Sequence, residues 1–147
     1  MATRTTAETT ASMTASAGAE RRDGRFSGFV RVSIALQTVS IFFQAVTAGM
    51  AVSSSEVGST VHDLGSKGMY AMSMLYLLAA ILAWRPGGGS ARPILYATGF
   101  LVLGTLQVVM GVNHVMEVHL PLGVLMFGLS LLDLGRVALQ RMRPARG

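Results

Sequence analysis

Two histidines are the residues of this 147-residue sequence with the most distinctive chemistry and spacing. His62 and His119 each follow a valine, and each opens a long apolar run. Imidazole nitrogens bind zinc, copper and iron. A single histidine at the end of an apolar run is more simply a half-solvated interfacial residue that needs no partner. Two histidines at equivalent positions of a repeated pattern instead indicate a pair of ligands.

The repeat consists of two stretches, 36–64 and 106–122, that share one order of features. Each has an apolar run with one glutamine near its end, then a short polar segment, then a Val-His pair. Gln44 precedes His62 in the first stretch, and Gln107 precedes His119 in the second. We interpret the pattern as one helical hairpin used twice. Such a repeat predicts that the two histidines lie at one depth on diagonal helices and face each other across a bundle.

The chemistry of this pair suits haem iron better than zinc. A zinc site uses three or four protein ligands, and adding Asp63 or Glu117 gives no recognised ligand spacing. Haem iron needs only two axial ligands on opposite faces. His114, which precedes His119 in a short polar segment, is the alternative ligand. The residues that we predict to contact the haem besides its ligands are Gln44, Gln107, Gly65 and Gly123.

The glycines in this prediction leave room for a flat macrocycle or for another helix, because they carry no side chain. The two glutamines have two possible roles, which the sequence leaves open. They either hydrogen-bond to the edge of the ligand or join helices across the bundle.

The elements that position these residues are four apolar segments. Of the whole chain, 51% of residues are hydrophobic and 13% charged, with a mean hydropathy of +0.52. A helix of about 20 residues crosses the hydrocarbon core of a bilayer. The sequence therefore predicts an all-α integral membrane four-helix bundle, made of two pseudo-repeated hairpins, over residues 26–140. The predicted spans are 30–52, 61–84, 94–112 and 118–139.

Charge predicts the orientation of the bundle. The 11 arginines all lie before or at the start of the first span, between the second and third, or at the end of the fourth and after it. Positive residues stay on the cytoplasmic side of short loops, so both termini are expected inside, N-in and C-in. The preference for arginine over a single lysine suggests a bacterial genome rich in G and C. We therefore expect a multi-pass protein of the bacterial plasma membrane.

Composition also excludes several partners and chemistries. The net charge is +5, but the arginines flank apolar spans and do not alternate with aromatic residues, so we expect no nucleic acid partner. Contacts with anionic lipid headgroups explain the basic ends. The absence of cysteine excludes disulfides, thiolate metal sites and a cysteine nucleophile.

Two tails are predicted outside the bundle. Residues 1–25 are rich in Thr, Ala and Ser and have few large apolar side chains, which predicts a disordered cytoplasmic tail. Residues 141–147 form a short basic tail on the same side. Asp133 and Arg136, close to the end of the fourth span, are predicted to form a surface ion pair.

The repeated pattern resembles one half of the heme A synthase family. The resemblance covers residues 30–139 and is carried by Gln44-x-x-x-Ala48-Gly49 with Val61-His62, and by Leu106-Gln107-x-x-x-Gly111 with His119-x-x-x-Gly123. Members of that family combine two four-helix halves, each offering histidines from its second and fourth helices to haem. The resemblance implies that His62 and His119 are axial ligands. The loop cysteine pair of the family and its glutamate three residues before a histidine have no counterpart here.

We therefore expect a membrane protein that binds one haem, of b type, between His62 and His119, for haem delivery, sensing or electron transfer. Catalysis is left uncertain. The alternatives are a cofactor-free accessory subunit of a larger membrane complex and a half-size haem-modifying enzyme that acts as a homodimer.

Overall fold

The structure, a computed structural model, consists of four α-helices. It describes the backbone of residues 2–53, 56–85 and 88–142, and the side chains of residues 12, 13, 16, 27–53, 56–85 and 88–139. Within these ranges there is no β-strand, so the all-α prediction is confirmed. The helices are α1 (Ala2–Val52), α2 (Glu56–Trp84), α3 (Arg92–Val112) and α4 (Met116–Met142).

Each helix is long and apolar enough to cross a membrane. The candidate spans are Ser27–Val52, Glu56–Trp84, Arg92–Val112 and Met116–Leu139. Only 17% to 33% of the most apolar part of each span is buried inside the bundle. The outward faces therefore carry large exposed apolar side chains, such as Val39, Leu95 and Val124. Soluble monomers rarely expose so much apolar surface, whereas lipid would cover it.

The helices run up and down around a central axis. Each contacts the next along the chain, and α4 closes the ring against α1. Consequently α1 and α3 lie on one diagonal and α2 and α4 on the other. We call the end with His62 and His119 the histidine end, and the end with Asp133 the aspartate end. The α2–α3 connection lies at the aspartate end.

The core repeats between α2 and α4, because each buried residue of α4 has a buried counterpart in α2 at one constant spacing, as a repeated hairpin predicts. Tyr76 and Asp133 are 57 residues apart and touch across the diagonal. The pairs Met69 with Met126 and Ser73 with Ser130 have the same spacing and are also buried. Buried residues of α1 and α3 repeat likewise with a constant spacing of their own, in the pairs Ile34 with Ala97, Gln37 with Phe100 and Ile41 with Gly104.

Helix ends depart from the sequence prediction at two places. α1 begins at Ala2, so the stretch predicted as a disordered tail is helical in its backbone. It contains no proline, and a helix extends from an already formed span without a new nucleation step. α2 begins at Glu56, inside the predicted polar loop, and Thr60 Oγ1 donates to Glu56 O at 3.0 Å within that helix. Residues 143–147 of the predicted basic tail lie outside the described residues.

The predicted surface ion pair of Asp133 and Arg136 is wrong. Asp133 is buried, and its Oδ2 accepts a hydrogen bond from the Tyr76 hydroxyl at 2.7 Å. The Arg136 guanidinium instead stacks on the ring of Tyr96, 4.7 Å from its centroid. The three-residue spacing was compatible with an ion pair, but the direction of the Asp133 side chain toward the bundle axis decides its partner.

Candidate functional site: a facing histidine pair

His62 lies in the second turn of α2 and faces the end of α1. Its Nδ1 is 3.1 Å from Thr47 Oγ1. Thr47 is itself buried, and its hydroxyl lies within hydrogen-bond distance of the Phe43 and Gln44 carbonyls. The contact with Thr47 holds the His62 ring through Nδ1.

His119 lies in the first turn of α4 and is held by α3 in the same way. Its Nδ1 donates to the backbone carbonyl of Gln107 at 2.9 Å. The Gln107 side chain forms a second hydrogen bond with the same residue, in which its Nε2 donates to the His119 carbonyl at 2.9 Å. His119 is therefore bonded to the glutamine of its own hairpin, and His62 is bonded to Thr47, three residues after the glutamine of its hairpin. Binding of one imidazole nitrogen to a backbone carbonyl is the arrangement that commonly orients a metal-ligating histidine, with the other nitrogen facing the metal.

The two imidazole rings face each other across the α2–α4 diagonal. Their centroids are 6.2 Å apart and their planes meet at 81°. Two imidazoles on opposite sides of one metal ion, with metal–nitrogen bonds of about 2 Å, have centroids about 6 Å apart. The expected facing of His62 and His119 is confirmed, and their separation matches that of two axial ligands.

The predicted glycines lie beside the glutamines of the same hairpins. Gly65 of α2 is covered by the Gln44 side chain, and a Cβ at Gly123 of α4 would lie 3.0 Å from Gln107 Nε2. The space that these glycines leave is therefore occupied by glutamine amides. Whether Gly65 and Gly123 contact a ligand stays a prediction.

The two glutamine side chains retain unused hydrogen-bonding capacity. Gln44 Nε2 and Gln107 Oε1 are buried and have no hydrogen-bond partner. Buried polar atoms in proteins nearly always have a partner, so such atoms require an explanation. One unsatisfied donor and one unsatisfied acceptor next to the histidine pair are suited to a ligand that carries polar groups at its edge.

Two residues of the site were not predicted from the sequence. Thr47 contacts His62, and Gly111 allows α3 to approach His119, since a Cβ there would lie 2.9 Å from His119 Cε1. The repeat offered a signal for Gly111, which follows Gln107 one turn later in the helix. Thr47 has no such signal, because the second hairpin has Met110 at the corresponding place.

The other candidate ligands lie outside the pair. His114 is in the turn before α4, with an exposed side chain and a φ of 56°. Asp63 pairs with Lys67 at 2.8 Å on the surface. Among the residues whose side chains are described, no three of the His, Asp and Glu groups come together as a metal site.

Comparison with known proteins does not link the chain to a family. No protein-family model, no curated protein and no solved structure matches the chain.

Proposed function

We propose that this protein is an integral membrane haem protein that holds one b-type haem between His62 and His119. The observation that carries the proposal is the pair of imidazoles facing each other with centroids 6.2 Å apart. The protein would serve haem delivery, haem sensing or electron transfer. A bound haem supplies reversible one-electron chemistry at its iron.

The residues present fit this cofactor in the type of ligand that they offer to iron and in the polar and apolar groups that would surround the macrocycle. Both histidines use Nδ1 for contacts with their own hairpin, and iron would take Nε2. On His119 it would replace a long contact of 3.4 Å between Nε2 and Gln107 Nε2. The unpaired amide atoms of Gln44 and Gln107 would meet polar groups at the edge of the macrocycle. The buried Met69 and Met126, one layer further along the axis, provide an apolar floor.

Two axial histidines would also limit the chemistry. Iron with both axial positions filled by protein has no position left for a substrate, which favours transfer or carriage over catalysis. The resemblance to one half of a heme A synthase supports haem binding and leaves haem modification to a homodimer, which would bring two such halves together.

The direct test is an optical spectrum of detergent-purified protein produced with ample haem precursor. We expect a low-spin spectrum typical of bis-histidine ligation. Absence of any haem absorption in wild-type protein under every growth condition would contradict the proposal.

The proposed orientation of the protein in the membrane rests on the positions of its positively charged residues. We place the protein in the bacterial plasma membrane with both termini in the cytoplasm, since the arginines flank the aspartate end. Reporter fusions after Ser55 and after Glu117 should then be active outside, and fusions after Gly88 and after Gly147 should be active inside. A single fusion on the opposite side would disprove this topology.

A second candidate function is an accessory subunit without cofactor. A Cβ at Gly99, Gly128 or Gly135 would meet no atom within 4 Å, so these glycines leave open places on the surface of α3 and α4. Small residues on the surface of a span allow another membrane helix to pack closely. Purified protein without haem that co-purifies with a larger membrane complex would favour this function.

A further inference from the structure

A polar layer is buried in the apolar interior between the histidine pair and the aspartate end. Gln37 of α1 is 0% exposed, and neither its amide nitrogen nor its amide oxygen has a hydrogen-bond partner. Ser73 of α2 and Ser130 of α4 are also buried. The Ser73 hydroxyl has only a long contact of 3.8 Å with the sulfur of Met69. An amide left unpaired inside a membrane bundle costs several kcal/mol. We therefore expect a bound molecule to form hydrogen bonds with these polar atoms.

The helix registers bring these residues to one level. The contact of Gln44 with Gly65 aligns α1 with α2, and two turns further toward the aspartate end the same antiparallel alignment places Gln37 beside Ser73. On the other side, Thr38 Oγ1 donates to the Ser130 carbonyl at 3.4 Å, which aligns α1 with α4. Gln37 and the two serines therefore form one cross-section of the bundle.

The next layer toward the aspartate end contains an acid. Tyr76 is 0% exposed and Asp133 is 6% exposed, and their hydrogen bond crosses the bundle. The charged and titratable groups near Asp133 are Tyr76 of α2, Tyr96 of α3 and Arg136 of its own helix. The buried polar residues of α1 toward this end, Ser33 and Gln37, carry no charge. A carboxyl group inside a span that faces the bundle interior is a frequent mark of proton transfer.

Access to these layers differs between the two ends. Toward the histidine end they are covered by Met69 and Met126, which are 4% and 1% exposed. Toward the aspartate end, Arg136 is exposed one turn beyond Asp133. A groove between α3 and α4, lined by Tyr96, Phe100, Asp133 and Arg136, reaches the acid near the aspartate end and gives a bound molecule a way in.

We propose that Gln37, Ser73, Tyr76 and Asp133 line an internal site for water and one exchangeable proton, open to the aspartate end. Water satisfies the two Gln37 amide atoms and links them to Asp133. Asp133 Oδ2 accepts the Tyr76 hydroxyl, which leaves Oδ1 to receive the proton. In that step an O–H bond of a hydronium ion breaks, an O–H bond forms on Oδ1, and a neutral water molecule remains. The site does not depend on haem.

The proton is tested by infrared difference spectroscopy of the full-length protein in lipid nanodiscs, titrated with pH in ordinary and heavy water. We expect a carboxyl C=O band that changes with pH, shifts to lower frequency in heavy water and is lost in Asp133→Asn. Asp63→Asn is the matched control, because Asp63 is an exposed carboxylate, and it should keep the band. Tyr76→Phe should keep the band but move its frequency, which gives a second result if Asp133→Asn does not fold. A band absent from wild type, or present unchanged in Asp133→Asn, would overturn the proposal.

The water is tested by radiolytic hydroxyl-radical labelling in heavy-oxygen water. Only water held beside Tyr76 can label this fully buried ring. We expect labelling of Tyr76 in wild type and a several-fold decrease in Gln37→Met, which has a similar size but no amide. Tyr70, near the surface, should be labelled equally in both proteins. Wild-type protein without label on Tyr76, or with equal labelling in Gln37→Met, would show that the layer is dry.

Discussion

Replacing both His62 and His119 with alanine is expected to abolish haem absorption in the purified protein. Each single replacement should leave a five-coordinate, high-spin and weakly held haem, because one axial ligand remains. Loss even of a residue that only orients a metal ligand lowers metal affinity about 10- to 100-fold. Loss of the ligand itself should therefore lower haem affinity by at least about 100-fold. The optical spectrum and a haem titration of the apoprotein measure both effects.

His114→Ala is the matched control for these variants. It removes the same side chain from the same end of the bundle, but from an exposed turn. We expect its low-spin spectrum to equal that of wild type. If His114→Ala lost that spectrum and His119→Ala kept it, His114 would be the ligand. An unchanged bis-histidine spectrum in the double variant would place the haem elsewhere.

Gly58→Ala is expected to destabilise the bundle strongly. A Cβ at Gly58 would lie 2.6 Å from the Met50 carbonyl carbon and 2.8 Å from the Ala51 nitrogen. Both are backbone atoms, so α1 and α2 must move apart where they approach the histidine end. Such overpacking costs about 3 kcal/mol of unfolding free energy. Unfolding in detergent mixtures with increasing sodium dodecyl sulfate measures the change.

Gly68→Ala provides the control on the same helix. A Cβ at Gly68 would meet no atom within 4 Å, so the variant should gain about 1 kcal/mol from the higher helix propensity of alanine. Equal stability of the two variants would show that α1 and α2 do not pack closely at Gly58.

The spans and the histidine pair could be predicted from the sequence for separate physical reasons. The length of an apolar run sets a span, so the predicted ends lie within a few residues of the observed ones, except at the starts of α1 and α2, which begin earlier. The repeat placed His62 and His119 at one depth. Spacing alone could not show that Gln44 and Gln107 fill the space beside Gly65 and Gly123, since that depends on how closely two helices approach.

The burial of Asp133 could not be predicted from the sequence, for a different reason. Asp133 lies three residues before Arg136, and this spacing is common in exposed ion pairs. Its partner Tyr76 is 57 residues away and lies on the diagonal helix. Only the rotation of α4 about its own axis determines whether the carboxyl group faces Tyr76 or the lipid. Gln37 depends in the same way on the rotation of α1.

The constant spacing between paired layers makes the histidine end nearly symmetric under a half-turn about the bundle axis. A haem is not symmetric about that axis, because its edges carry different groups. Turned by half a revolution, it would meet the other histidine, the other glutamine and the other hairpin in equivalent positions. If haem binds as proposed, these two orientations would have similar energies unless a residue breaks the symmetry. Thr47, which contacts His62 and corresponds to Met110 in the second hairpin, is such a residue. Through His62, its hydroxyl would favour one orientation of a bound haem over the other.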